Sequence, residues 1–341
     1  MKTYLSILAY FFIFQTILEV KAQNNSIGIA DTSELERVFV MLDLVNVQQL
    51  DNRIAVDLKY STKDNFVKKN MYGQLQRAYL NKDAAEMLAR AQQILSDTLP
   101  GFRLLIYDAT RPQSIQWMMW KAIKVPESEK SKYVSNPKYG SLHNFGAAVD
   151  LTIIDNKDQP LDMGTSFDSF EKLAYPYYEE EFLKKGKLSK NQYNNRLLLR
   201  YVMKRAGFMG ITTEWWHFNA CYRKDAKQRY NLVYSHLLTD YLKEATEKPL
   251  LVDDSEKPIF RVQIYTSGKA HDLKWKSLKG FADFRYYHKG LYKYTGGSFV
   301  TIEEANDFKN QMRKQGFKGS FIVPFYQGER IELKDAVELL Q

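Results

Sequence analysis

The sequence predicts an α+β protein built as one larger and one smaller unit. Three observations carry this. Short runs with apolar residues at every second position alternate along the chain with stretches whose apolar residues recur every three to four positions. The length of 341 residues exceeds what one compact core usually fills. A charged stretch poor in core residues, 247–258, contains Glu247-Lys248-Pro249 and Asp253-Asp254-Ser255-Glu256-Lys257-Pro258 and reads as a linker between 23–246 and 259–341.

The elements follow in order. Lys2 precedes Tyr4 to Leu18, an uncharged and largely apolar run, and short side chains at Val20 and Ala22 mark a cleavage point after about Ala22. Residues 1–22 therefore read as a secretory signal, with an uncleaved anchor as the alternative; after cleavage no stable membrane span is expected, because the run is short for one. The segment contains no cysteine to accept a lipid. Gln23 to about Arg37 is polar and reads as a flexible lead-in. Ile54 to Tyr60 alternates as a strand. Asn81 caps a helix with Ala84, Met87, Leu88, Ala91, Ile94 and Leu95 on one face, stopped by Pro100-Gly101. Phe102 to Tyr107 is a strand. Pro112 then biases Arg111 away from helical geometry, so its guanidinium is presented from a strand end or loop before a helix from about Gln113 to Lys124.

Lys124 to Tyr139, charged and Pro-containing, reads as a rim. Val149 to Ile154 is a strand ended by the turn Asp155 to Asp158. Glu179-Glu180-Glu181 and Lys184-Lys185-Gly186-Lys187 read as a solvated helix face or loop. Ser189 to Ala206 is a helix closed by Gly207, and Asp225 to Lys257 begins as a helical tail. Beyond the linker come strands at Ile259 to Thr266, Leu291 to Thr295 and Ser320 to Tyr326, with a helix at Glu303 to Gln315 capped by Gly316. That order fits a small α+β sandwich.

The chemistry centres on Ser141-Leu142-His143-Asn144-Phe145-Gly146-Ala147-Ala148-Val149-Asp150, which sets a His and an Asp on either side of a small-residue turn. Imidazole and carboxylate are ligands that zinc accepts. Thr213-Glu214-Trp215-Trp216-His217-Phe218 offers a third ligand, with a carboxylate three residues before it. His143, Asp150 and His217 would hold one zinc ion and leave a position for water, and Glu214 would move protons. A regular strand points residues three apart to opposite faces, so Glu214 is expected at an irregular strand entrance. A lone His in an aromatic strand is more often a satisfied core residue, which is the competing reading of His217. His236, His271 and His288 lack a partner motif and read as structural or surface residues.

The pattern Ser-x-His-x-x-Gly-x-Ala-x-Asp with a distant Glu-x-x-His resembles the zinc-dependent D-alanyl-D-alanine dipeptidases of bacterial cell walls, including those of vancomycin resistance. Asp57 to Phe66, Tyr107 to Pro112 and Asp162 to Asp168 are similar to further blocks of that family in the same order, over roughly Val47 to Cys221. The resemblance implies an antiparallel sheet with flanking helices. It also implies that Arg111 stabilises the oxyanion formed on the scissile carbonyl, as suits a fixed, always-charged fork, and that Ser141 and Asp168 lie near the free amino group of a D,D-dipeptide. Without the resemblance, Asp168 reads as a cap or solvated carboxylate and Arg111 as a salt-bridge partner. A D,D- or L,D-carboxypeptidase acting on wall peptides stays open, as does a non-catalytic wall-binding protein.

Phe260 to Tyr265, Tyr292-Lys293-Tyr294 and Gly316 to Val323 resemble SPOR-type peptidoglycan-binding modules, which implies wall binding by 259–341; a unit that merely stabilises the enzyme is the alternative. Cys221 is the one cysteine, so no intramolecular disulfide forms, and an inert thiol is expected. The formal charge of +9 includes 14 Lys and Arg against 9 Asp and Glu after residue 258. It fits acidic surroundings such as wall polymers or lipid headgroups, or a merely solvated surface. No nucleic-acid partner is expected. An exported protein of the periplasm or cell envelope is.

Overall fold

The computed structural model describes residues 33–246 and 257–340. The signal segment expected over 1–22, much of the lead-in and all but the last two residues of the expected linker lie outside the described residues. No helix among the described residues is long and apolar enough to cross a membrane.

The lead-in ends earlier than its polarity implied. Helix α1 (Glu34–Met41) starts at Ser33, whose Oγ accepts from Glu36 N at 3.1 Å, and it buries Leu35, Val38 and Phe39. These three positions form one helical face, hidden in sequence by the short length of the element. β1 (Val45–Asn46), β2 (Ala55–Val56) and β3 (Tyr79–Leu80) follow, with β1 and β3 paired antiparallel. The expected strand Ile54 to Tyr60 is pairing-competent only over β2. Beyond it, Ser61 N donates to Leu58 O and Thr62 N to Lys59 O, which makes Lys59–Ser61 a helical turn, and Met71 N and Tyr72 N both donate to Tyr60 O. Asn81 Oδ1 accepts from Ala84 N and caps α2 (Lys82–Thr98), as its sequence implied.

β4 (Arg103–Asp108), α3 (Gln113–Ala122) and β5 (Ala148–Ile154) form the centre of the larger unit. Every β5 residue is buried; Val149, Leu151 and Ile153 face the main core, so Asp150 and Thr152 take the other face. α4 (Lys190–Arg205) opens on a capping box of Ser189 and Gln192 and leads into β6 (Met209–Gly210) and β7 (His217–Asn219). The sheet order is β2-β4-β5-β7-β6. All neighbours are antiparallel except β2, which lies parallel to β4. The expected antiparallel sheet is thus corrected at one edge. A register shift between Ile106 and Asp108 sets Asp108 opposite Asp150. Bulges of this kind re-aim side chains next to sites.

The helical tail breaks in two. Arg223–Arg229 is one short helix and α5 (Leu238–Thr246) another. Between them the carbonyls of Val233 and Tyr234 accept from Gln113 N and Ser114 N at the start of α3. Glu179 is not solvated. It is buried, with Arg200 Nη1 and Nη2 at 2.9 and 2.6 Å and Arg196 Nη1 at 3.2 Å.

The C-terminal unit holds β8 (Ile259–Ser267), β9 (Phe284–His288), β10 (Leu291–Phe299), α6 (Ile302–Lys314), β11 (Phe321–Tyr326) and β12 (Glu329–Arg330). Its sheet, β12-β11-β8-β10-β9, is antiparallel throughout. This is the split β-α-β-β-α-β order with the first helix reduced to the turn Lys276–Leu278. β9 was not anticipated. It pairs with β10 across Lys289-Gly290, both at positive φ, a hairpin loop lacking the usual Asn-Gly signal. α5 links the units: Tyr287 Oη donates to Asp240 Oδ1 at 3.2 Å, and Lys243 Nζ lies over the Tyr287 and Tyr292 rings.

Candidate metal centre

Two neighbouring strands and one turn build the site. β5 and β7 place Asp150 opposite His217. His143 comes from the helical turn Leu142–Phe145, which Gly146 closes at φ 61. A Cβ at Gly146 would lie 2.9 Å from both Asn81 N and Thr110 Oγ1, so the turn that delivers His143 into β5 admits glycine alone.

His217 Nδ1 lies 2.8 Å from Asp150 Oδ1 and 3.2 Å from His143 Nε2, and His143 Nε2 lies 3.4 Å from Asp150 Oδ1. Neighbours fix both rings. His143 Nδ1 donates to the Ala109 carbonyl at 2.6 Å, leaving Nε2 as the free lone pair. His217 Nε2 faces Asn219 Oδ1 at 2.8 Å, leaving Nδ1 to face the other two donors. Such outer partners are what orient metal-binding imidazoles. A tetrahedral zinc ion with bonds of ~2.0–2.1 Å spaces its ligands by roughly 3.3 Å, so this triangle and donor set fit the ion. Among the described residues this is the group of three that could hold a metal.

Burial opposes the charge on Asp150, but His143 and His217 outweigh it and hold the carboxyl well below the usual carboxylate range. Burial likewise disfavours the His217 imidazolium, yet the hydrogen bond and charge of Asp150 lift its pKa to about 9.

The same cleft, about 460 Å³, is lined by Arg111, Ser141, Asp168 and Glu214. Glu214 sits in the turn before β7, at the irregular entrance expected, and burial raises its pKa with His217 opposing. Arg111 is buried, with Nε 2.9 Å from Asp108 Oδ2, Nη2 on the same oxygen, and Nη2 3.8 Å from Asp150 Oδ2. Tyr72 Oη donates to the other Asp108 oxygen at 2.6 Å. Asp168 accepts from Tyr60 Oη at 3.0 Å, and burial together with the Asp150 charge raises its pKa to about 8. Ser141 Oγ donates to Gln116 Oε1 at 2.8 Å. All seven residues singled out in sequence therefore reach one cleft.

Sequence reading missed the residues that hold these groups. Asp108 fixes the Arg111 fork, Tyr60 reaches Asp168 while its ring lies 5.1 Å under the Arg111 guanidinium, and Gln116 and Asn219 orient Ser141 and His217. The three-residue spacing of Asp108 and Arg111 was the one available signal. Cys221 packs with Phe145 and Ala147, where burial raises its thiol pKa. His236 bonds Ser114 Oγ, and His271 stacks on Trp275; neither is among the residues that line the cleft.

Comparison with known proteins agrees with this geometry. Residues 41–236 match a family described as D-Ala-D-Ala dipeptidase. The chain is 38% identical over 176 residues to the D-alanyl-D-alanine dipeptidase of Escherichia coli K12, covering 52% of this chain and 83% of that protein. It is 27% identical over 198 residues to the protein of the same name from Enterococcus faecalis, covering 54% and 92%. A third of that name, from Streptomyces coelicolor, is 30% identical over 191 residues, covering 52% and 90%.

Proposed function

Because the chain belongs to the D-Ala-D-Ala dipeptidase family, we propose that it hydrolyses D-alanyl-D-alanine and related D,D-dipeptides with a zinc ion held by His143, Asp150 and His217. The observation that carries this is the meeting of those donor atoms within 4.8 Å, in a cleft shared with Glu214 and Arg111. When bound, zinc would lower the pKa of a coordinated water towards ~7 and polarise the scissile carbonyl.

The chain's own residues do the rest. Glu214 takes a proton from the attacking water onto a carboxylate oxygen and returns it to the leaving amine nitrogen as the C–N bond breaks. Burial keeps that carboxyl more basic than an exposed glutamate, which suits both transfers. Arg111 donates to the oxyanion. Its guanidinium is set against rotation by Asp108, so no reorganisation is needed as charge develops. Asp168 and Ser141 receive the substrate ammonium, which makes the enzyme act on free dipeptides. A carboxypeptidase would have no use for that end, and the relatives' shared name disfavours it. A silent wall-binding protein would not need Glu214.

The test is zinc content together with chelator-sensitive turnover of D-Ala-D-Ala. Glu214→Ala is expected to keep one zinc per chain and lower kcat by ~10²–10⁴-fold. Unchanged turnover would remove the assigned role, and faster release of D-alanine from wall pentapeptides than cleavage of the free dipeptide would revive the carboxypeptidase.

We also infer an exported protein of the periplasm or cell envelope, supported by the signal-like segment 1–22 and the +9 charge. The C-terminal unit would bind peptidoglycan as a SPOR-like module; its β11-β8-β10-β9 order and its aromatic and basic strands support this.

A further inference from the structure

We infer that Arg196, from helix α4, is a positioning residue that holds Asp168 in place for the substrate's amino group. Asp168 lies in a long connection without strand or α-helix, 162–178, at φ 60, a left-handed conformation that costs a non-glycine residue energy. Tyr60 Oη holds its carboxylate directly, and the backbone that carries it is held from outside the connection as well. Arg196 reaches both of its limbs: Nε donates to Met163 O at 2.6 Å, before Asp168, and Nη1 donates to Leu173 O at 3.0 Å, after it. The same helix grips the entrance again, with Gln192 Nε2 on Asp162 Oδ2 at 2.8 Å and Asn195 Nδ2 on Asp162 O at 2.9 Å. Gly164 at φ 83 lets the connection lie this close, since a Cβ would come within 2.6 Å of Leu188 Cδ1.

The clamp is expensive. The Arg196 side chain is fully buried, and its Nη2 has no hydrogen-bond partner among the described residues. Glu179 balances the charge and is itself fixed by Arg200. A buried ion pair of this kind is often no more stabilising than apolar packing of the same volume. What apolar side chains could not do is take two carbonyls from opposite limbs of one connection in a single planar fork, and neither could lysine.

This inference rests on the assignment of the ammonium to Asp168, and the experiment separates the two. Steady-state kinetics on D-Ala-D-Ala are measured for the zinc-loaded full chain and for Arg196→Lys, Arg196→Gln, Asp168→Asn and the Arg196→Lys/Asp168→Asn double variant. Arg196→Lys is expected to raise KM by about tenfold while kcat changes by less than about threefold and zinc content stays at one per chain. In the Asp168→Asn background the same change is expected to add little, because both act on one interaction. If Arg196→Gln fails to fold, Arg196→Lys, which keeps the charge against Glu179, carries the test alone. Unchanged KM in Arg196→Lys, or losses that multiply in the double variant, would overturn the inference. An Asp168→Asn enzyme with normal KM would instead overturn the reading of Asp168.

Discussion

His217 has an acceptor at each ring nitrogen, Asp150 Oδ1 and Asn219 Oδ1, each at 2.8 Å. In the metal-free protein that arrangement calls for a proton on both nitrogens, in keeping with a pKa lifted to about 9. A metal needs the lone pair on Nδ1, so binding must displace one proton wherever the free site is protonated. The sign follows: below about pH 9 the apparent zinc affinity is expected to rise about tenfold per pH unit from this group, and above it this dependence vanishes. Calorimetric titration of zinc into chelator-stripped protein, in buffers of different ionisation heat, is expected to register about one proton released near pH 7; none released would mean His217 is neutral before the metal arrives. The His143, Asp150 and His217 cluster proposed to hold the metal was legible in sequence because its residue types and spacing carry the chemistry. Asp108 and Glu179 were not: beyond the spacing of Asp108 from Arg111, a run of letters does not tell a buried, paired carboxylate from a solvated one. Their roles come from a bulge between β4 and β5 and from a helix packed across the chain.

Turns and caps decide how the elements deliver these residues. The helices were legible where a cap and a periodic face coincided, as at Asn81 and Ser189. The two-residue strands β1, β3 and β6 were obscure because their pairing is set by partners distant in sequence. Gly146 shows what one such junction is worth. Gly186→Ala, at φ 70 with nothing within 4 Å of the added Cβ, is expected to cost only the left-handed penalty of ~1–2 kcal/mol. Gly146→Ala carries that same penalty and also meets the Asn81 backbone. It is expected to lower urea stability further and to reduce zinc occupancy as the His143 turn shifts. Equal stability and full zinc in both variants would show that the turn relaxes without moving His143.

At the scale of the whole molecule, the family match ends at residue 236, before α5 and the second sheet begin. Among the described residues the cleft is lined from Tyr60 to Arg223, and none of its lining comes from the C-terminal unit. The bridge runs instead through Asp240 and Lys243 of α5 to Tyr287 and Tyr292, against the β9–β10 hairpin. Catalysis and the proposed wall attachment should therefore separate. A chain ending at Thr246 is expected to keep kcat/KM for D-Ala-D-Ala within about twofold, the scatter of independent parts. Its co-sedimentation with purified peptidoglycan sacculi is expected to fall to background while the full chain pellets. Equal pelleting of the two forms would place wall affinity in the catalytic unit and leave the second sheet without the targeting role. Loss of dipeptide cleavage on truncation would mean that the α5 bridge reaches the cleft, through the Val233–Tyr234 segment that pins the start of α3.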